Sequence, residues 1–560
     1  MTTRTISPLP VALAVALLAT ACTSGGLPGP NASGSGAVVP VRQGGGIVIG
    51  AEQEPDCADW ISSCAGSVWG TYIMDIPTMP RAFVSRKTGA GWAPVPSDVL
   101  AGEPTVTTVG NQQKVTYKIN PAAVWSDKEP ITSEDLKYTA LQIRDGKDVL
   151  DKTGYNRVTA VDTPDPKTAV VTFDGPYANW RALFSDTVGI FPSHLLAGKD
   201  RDAIMKDGYG FSGGPWKIES WKRGASVTLV PNPNYWGEKP KLDKVTFQFT
   251  TDTAAAFQAF KSGQLDALYP TPQLDSVDQI KSGLPNARSE VDPQSGNLEA
   301  LWMNNGAFPF DSVTFRKAVS YSIDRKAIVA RLYGALGVTA PAQSFLTPIM
   351  AQYSGDDFSQ YGLDLAKVTS LMQGDGWAKG PDGIWAKDGK RASFSIVSLA
   401  GDKRRELTEQ IVQQQLKAAG FELTIANSTA AQLFSKIAPA GDFQLGLWTL
   451  VDTFPQPSLG QSFSTAAIPN AANGNSGLNM SRISSPALDK AMDTLNTSLD
   501  QNTRIQAAKQ TNQLLAAGAS SLPIDAVPNV LLWNDKIGGP LAVNPSNGPF
   551  WNLAQWGLAA

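Results

Sequence analysis

The stretch Gly446-Leu447-Trp448-Thr449-Leu450-Val451 is apolar enough to be a strand of a covered sheet. It ends on a carboxylate, Asp452, followed by Thr453, Phe454 and the turn residue Pro455. Burying an acid at the end of such a strand is costly unless a positive group meets it. Two partners can do so: an internal Arg or Lys, or an ammonium group brought by a ligand. The fold must therefore supply either a cation at this corner or a cleft that admits one.

At 560 residues the chain exceeds what one hydrophobic core serves, so two or three domains are expected. Its 42% hydrophobic and 17% charged residues suit a soluble globular protein. A formal net charge of −3 provides no basic face for phosphates, which argues against nucleic acid as a partner. The single His, His194, and three Cys nearly exclude a zinc or copper site of His and Cys ligands, and no cofactor is expected. No nucleophile elbow pairs with a His, and no Walker loop is present. Glu134 and Asp135 read as first-turn helix charges rather than a catalytic dyad. The expectation is a protein that is not an enzyme.

The first residues read as a targeting segment. Arg4 gives a positive start, and Leu9 to Leu18 is apolar but too short to span a bilayer. Ala19-Thr20-Ala21-Cys22 resembles the lipidation site of bacterial lipoproteins, although Ala19 stands where Leu is usual. Ordinary signal cleavage nearby is the other reading. Residues 1–21 are expected to be removed and Cys22 acylated. The Gly/Ser/Pro-rich residues 22–45 then form a flexible tether on the outer face of the cell membrane. Cys57 and Cys64, seven apart in an exported chain, are expected to form a disulfide; two free thiols are the alternative.

Five motifs then occur in order. They are Trp125-Ser126-Asp127 with Ile131-Thr132-Ser133-Glu134-Asp135; Gly214-Pro215-Trp216 with Asn232-Pro233-Asn234-Tyr235-Trp236-Gly237; Phe260-Lys261-Ser262-Gly263-Gln264-Leu265-Asp266; Asn304-Asn305 with Phe310-Asp311; and Arg316-Lys317-Ala318-Val319 with Ile323-Asp324-Arg325-Lys326-Ala327-Ile328. Together they resemble the extracytoplasmic solute-binding proteins of peptide ABC transporters, the oligopeptide/dipeptide-binding family 5, here a lipoprotein of actinobacterial type. The resemblance covers nearly all of residues 46–560.

That resemblance implies an α/β, two-lobed periplasmic-binding-protein fold (type II, cluster C) with an extra domain, mixed sheets and a hinged ligand cleft. Lobe one would take residues 46–77, 208–298 and 533–560, the extra domain 78–207, and lobe two 299–532. It implies a peptide ligand, permease subunits as partners and a monomer. In the family, an Asp after a strand and ahead of an aromatic-and-Pro turn binds the peptide N-terminus, which carries that role to Asp452. Trp448 and Leu450 would offer pocket wall and backbone. Some members place an Arg shortly before that Asp; here Phe443-Gln444-Leu445-Gly446-Leu447 holds no cation. Arg404, Arg405 and Lys436 are near in sequence without an assignable role. Haem, a metal chelate or glutathione is the alternative cargo, and a secreted hydrolase the remote alternative.

Overall fold

The computed structural model describes residues 39–560 except 63, 65–66, 89–90, 148, 150, 186–187, 430–431, 453, 455, 458 and 474–476. The signal segment, Cys22 and most of the expected tether lie outside the described residues.

Two mixed sheets organise the chain. The first runs, in spatial order, Ala287–Asp292, Asn529–Asn534, Ala267–Leu268, Gly46–Ala51, Lys244–Phe249, Ser226–Pro231 and Trp216–Lys222. Gly46–Ala51 is parallel to both neighbours, the setting in which a strand is covered on both faces and reads as one apolar run. The second sheet runs Glu422–Ile425, Ser393–Val397, Leu445–Val451, Asn297–Met303 and Leu522–Ala526. Each sheet has its own core. Ile47, Ile49, Trp216 and Phe247 belong to the first, and Leu301, Trp302, Leu445 and Leu447 to the second. A four-stranded sheet, Thr105–Val109, Gln112–Lys118, Thr168–Phe173 and Val158–Asp165, shares the first core. The α/β, two-lobed arrangement expected from the sequence is the one found.

The chain crosses between the two large sheets at 293–296 and again at 527–528. Both crossings fall ahead of the expected boundaries at 298 and 533. Asn297–Met303 already pairs in the second sheet, and Asn529–Asn534 pairs along its length with Ala287–Asp292 in the first. Two short crossings side by side make a hinge. The end of the expected tether is also sheet, since Val41–Arg42 pairs with Gly557–Ala559.

The motifs that carry the family resemblance are fasteners. Asn234 Nδ2 donates to the Ser126 carbonyl (2.7 Å) and Asn232 Nδ2 to the Gly214 carbonyl (3.0 Å). Trp125 Nε1 donates to Asp135 (3.1 Å), which also accepts the Thr132 N–H (2.8 Å) at the start of helix Ser133–Asp145. Asn304 Nδ2 donates to the Gly441 and Phe443 carbonyls, and buried Arg325 donates to those of Pro523 and Phe358. Each satisfies backbone groups that burial would otherwise orphan. His194 meets Asp127 at 2.9 Å, and Cys57 and Cys64 form a disulfide with Cα atoms 5.8 Å apart.

Candidate functional site

The strand Leu445–Val451 pairs along its whole length with Asn297–Met303. Its other edge pairs with Ser393–Val397 only at Leu445 and Gly446. Beyond Gly446 that edge has no strand partner among the described residues; Ser398 Oγ donates to the Leu447 carbonyl (2.7 Å), and the groups of Thr449 and Val451 are left for another extended chain. Trp448, Leu450 and Asp452 alternate with Thr449 and Val451, as strand geometry requires.

The Trp448 ring lies in the second core at 7% exposure, stacked on Trp302 at 5.9 Å and 9° and edge-on to Phe443 at 5.3 Å. The pocket wall expected of it is therefore not where its ring sits; aromatic packing beneath the strand claims it. Leu450 is half-buried against the same core.

Asp452 closes the strand at the hinge. Its N–H donates to the Gly296 carbonyl at 2.7 Å, and Thr347 Oγ1 donates to its Oδ2 at 3.1 Å. A Cβ at Gly296 would collide with the Asp452 carbonyl oxygen, so this close approach requires glycine. The residue as a whole is half-buried, yet burial of its carboxyl pushes the pKa up to about 7, with the Thr347 hydroxyl opposing. No Lys or Arg forms an ion pair with it among the described residues. Arg404 and Arg405 instead clasp Glu299, 1% exposed on the neighbouring strand, with Arg405 Nε 3.0 Å from its Oε1. Lys436 is exposed.

The end of the central strand of the first sheet is also acidic. Glu52 follows Gly46–Ala51 and accepts from the Thr271 N–H (3.1 Å) and hydroxyl (2.9 Å). Burial raises its pKa, and the charge of Asp402 from the second lobe adds to the rise. Immediately after Thr347, residues Pro348, Ile349, Ala351 and Gln352 wall a cavity of 290 Å³ that Trp92 and hinge residue Gln294 also line. Among the described residues, no group of three or more His, Cys, Asp or Glu is placed to hold a metal ion. No helix there is long and apolar enough to cross a membrane. Gly296 and Thr347 carry no signal in sequence. Glu299 does, being a lone charge inside the apolar strand Asn297–Met303, the same kind of signal that singles out Asp452.

Residues 98–468 match the family described as bacterial extracellular solute-binding proteins, family 5 Middle. The chain belongs to that family. The family 5 chain is 28% identical over 468 residues to the oligopeptide-binding protein OppA of Mycobacterium tuberculosis, covering 81% of this chain and 75% of that one. It is 25% identical over 446 residues to the dipeptide-binding protein DppE of Bacillus subtilis, covering 76% and 78%. Among solved structures, a periplasmic EDTA-binding protein, EppA, superimposes with a TM-score of 0.83 at 22% identity, covering 94% of this chain and 98% of that one. The oligopeptide-binding protein AppA of Bacillus subtilis, solved with a nonapeptide, gives 0.78 at 21%, covering 93% and 100%. Membership makes the chain an extracytoplasmic solute-binding protein.

Proposed function

We propose that this is the substrate-binding lipoprotein of an ABC importer, capturing di- to oligopeptides outside the membrane and passing them to the permease. Asp452 takes the peptide ammonium by a charge-assisted hydrogen bond. The free edge on either side of Leu450, at Thr449 and Val451, pairs with the peptide backbone, and the cavity beside Pro348 gives a nearby side chain somewhere to go. One observation carries the reading: a carboxylate enclosed at the hinge whose titration feels burial and a hydroxyl but no cation. Among the described residues no positive partner pairs with it, which leaves the place open to a ligand's ammonium. Acylation at Cys22 holds the protein at the membrane, and the Cys57–Cys64 disulfide persists in that oxidising compartment.

A second reading keeps the site and changes the cargo, since one structural relative is named for binding EDTA. Asp452 opposes it, because a polyanion there would meet an acid with no cation paired to it among the described residues. Native mass spectrometry of protein purified from its host distinguishes the two. Co-purified peptides are expected; haem, a chelate or glutathione as the bound species would overturn the peptide reading.

A further inference from the structure

Asn179 lies in the expected extra domain, 78–207, yet its side chain is buried at 3% exposure against the second lobe. Its Nδ2 donates to the Pro457 carbonyl at 2.8 Å, and its Oδ1 accepts from Arg504 Nη2. Next to it the Ala178 N–H donates to the Asn496 carbonyl at 2.8 Å. Pro457 stands five residues after Asp452 in the chain. Arg504, 4% exposed, reaches the same corner by a second route. Its Nη1 lies 3.4 Å from the Tyr353 hydroxyl and its guanidinium 5.6 Å from the Tyr353 ring. Tyr353 ends the short helix Pro348–Tyr353, which starts directly after Thr347, the donor to Asp452. Arg504 forms no ion pair among the described residues. Its Nε donates to the Leu495 carbonyl at 3.2 Å, so one guanidinium ties helix Pro486–Thr497, Tyr353 and Asn179 together.

From this geometry we infer that Asn179 is a positioning residue for ligand capture. Bound at once to Pro457 and Arg504, it clasps the 78–207 domain onto a residue five beyond Asp452 and onto the guanidinium that touches the helix after Thr347. The clasp spans the two lobes, so opening across the hinge at 293–296 and 527–528 has to break it, which ties the hinge to the geometry of the acid. It needs the solute-binding fold but not the peptide cargo.

The test uses the whole protein without added ligand and reads amide hydrogen exchange. Asn179→Ala should raise exchange in the strand Leu445–Val451 and at Asp452 about tenfold, the size of one buried hydrogen bond lost in a local opening. Small-angle scattering should show a larger radius of gyration. Asn179→Asp keeps an acceptor for Arg504 but cannot donate to Pro457. It should loosen the strand end similarly while leaving the radius at the wild-type value. Unchanged exchange at Asp452 in Asn179→Ala would overturn the inference. Protection lost instead throughout Gln112–Lys118 and Thr168–Phe173 would also overturn it, by making Asn179 a residue of its own domain's stability. Neither readout contains a ligand, so a different cargo in the mass spectrum would leave the clasp standing.

Discussion

Glu299 and Asp452 are two enclosed acids on neighbouring strands of one sheet, and they are held in opposite ways. Glu299 faces Thr449 in register and is met by Arg404 and Arg405, while the Thr449 hydroxyl donates to its Oε2 at 3.1 Å. Burial alone would raise its pKa, but the two guanidiniums outweigh burial and hold it below the usual Glu range. Asp452 has burial without the guanidiniums, and its pKa rises to about 7. The difference separates structure from function within a few residues. An acid that the chain has paired for itself is part of the scaffold. One left with a hydroxyl and a backbone contact is, on the function proposed above, open to a ligand's charge.

Removing the paired acid should have the larger effect. Glu299→Gln leaves two enclosed guanidiniums without their main counter-charge, and breaking a buried pair from one side costs about 3–5 kcal/mol. Denaturant unfolding at neutral pH should show that loss. Asp452→Asn removes no partner's charge, so the ligand-free protein should unfold at the wild-type midpoint or above it. A destabilised Asp452→Asn variant would mean that the acid has an internal cation after all.

Ligand binding should reverse the ranking at Asp452. With a peptide ammonium in the cleft, Asp452→Asn should weaken binding by about 2–4 kcal/mol, or roughly 30- to 1000-fold. Acetylating the peptide N-terminus should weaken wild-type binding similarly, and the two changes together should cost much less than their sum. Calorimetric titration of the four combinations checks this; additive losses would take Asp452 out of the site. A smaller question is whether Cys57 and Cys64 are bridged in the cell product. Thiol titration of the unfolded, unreduced protein should find no free thiol, and two equivalents would refute the bridge.

The fold was more legible in the sequence than the site was. Asn232, Asn304 and Arg325 satisfy buried backbone groups within their own lobe, Asn234 one in the adjoining extra domain, and each belongs to a short motif that can be read locally. Asp452 was readable because a lone charge ending an apolar run needs an explanation. What it touches was not, because Gly296 and Thr347 arrive from distant segments and neither residue type is unusual in a loop. Trp448 shows the converse. Strand alternation puts it on the same side as Asp452, but the depth of the aromatic cluster around Trp302, Phe434 and Phe443 is a tertiary fact, and that cluster buries the ring. Arg404 and Arg405 lie near Asp452 in sequence without an assignable role there. The strand register hands them to Glu299 instead, three residues nearer the sheet interior.

The finest separation of the two acids is by pH. Asp452 has a folded-state pKa of about 7, above its unfolded value near 4. Between those values the folded protein holds a proton that the unfolded chain has released, so this group's contribution to stability falls as pH rises through the window and levels off above about 7. Glu299 has a depressed pKa and acts in the opposite sense. Its contribution is fully present above the unfolded Glu value near 4.5 and is lost only as pH falls below it. Asp525, Glu290 and Glu409 are also raised to about 7, chiefly by burial, so the wild-type stability curve carries several such groups. Subtracting the Asp452→Asn curve isolates one. The difference should slope downward from pH 4 to 7 and be flat above. Peptide affinity should run the other way, since an ammonium binds the carboxylate and must displace its proton below pH 7. Wild-type affinity should fall by up to about tenfold per pH unit on descending from 7, and that slope should vanish in Asp452→Asn. Titration calorimetry in buffers of different ionisation enthalpy reads the proton released on binding. A wild-type protein that releases none at pH 6 would show that its ligand does not meet Asp452 with a positive charge.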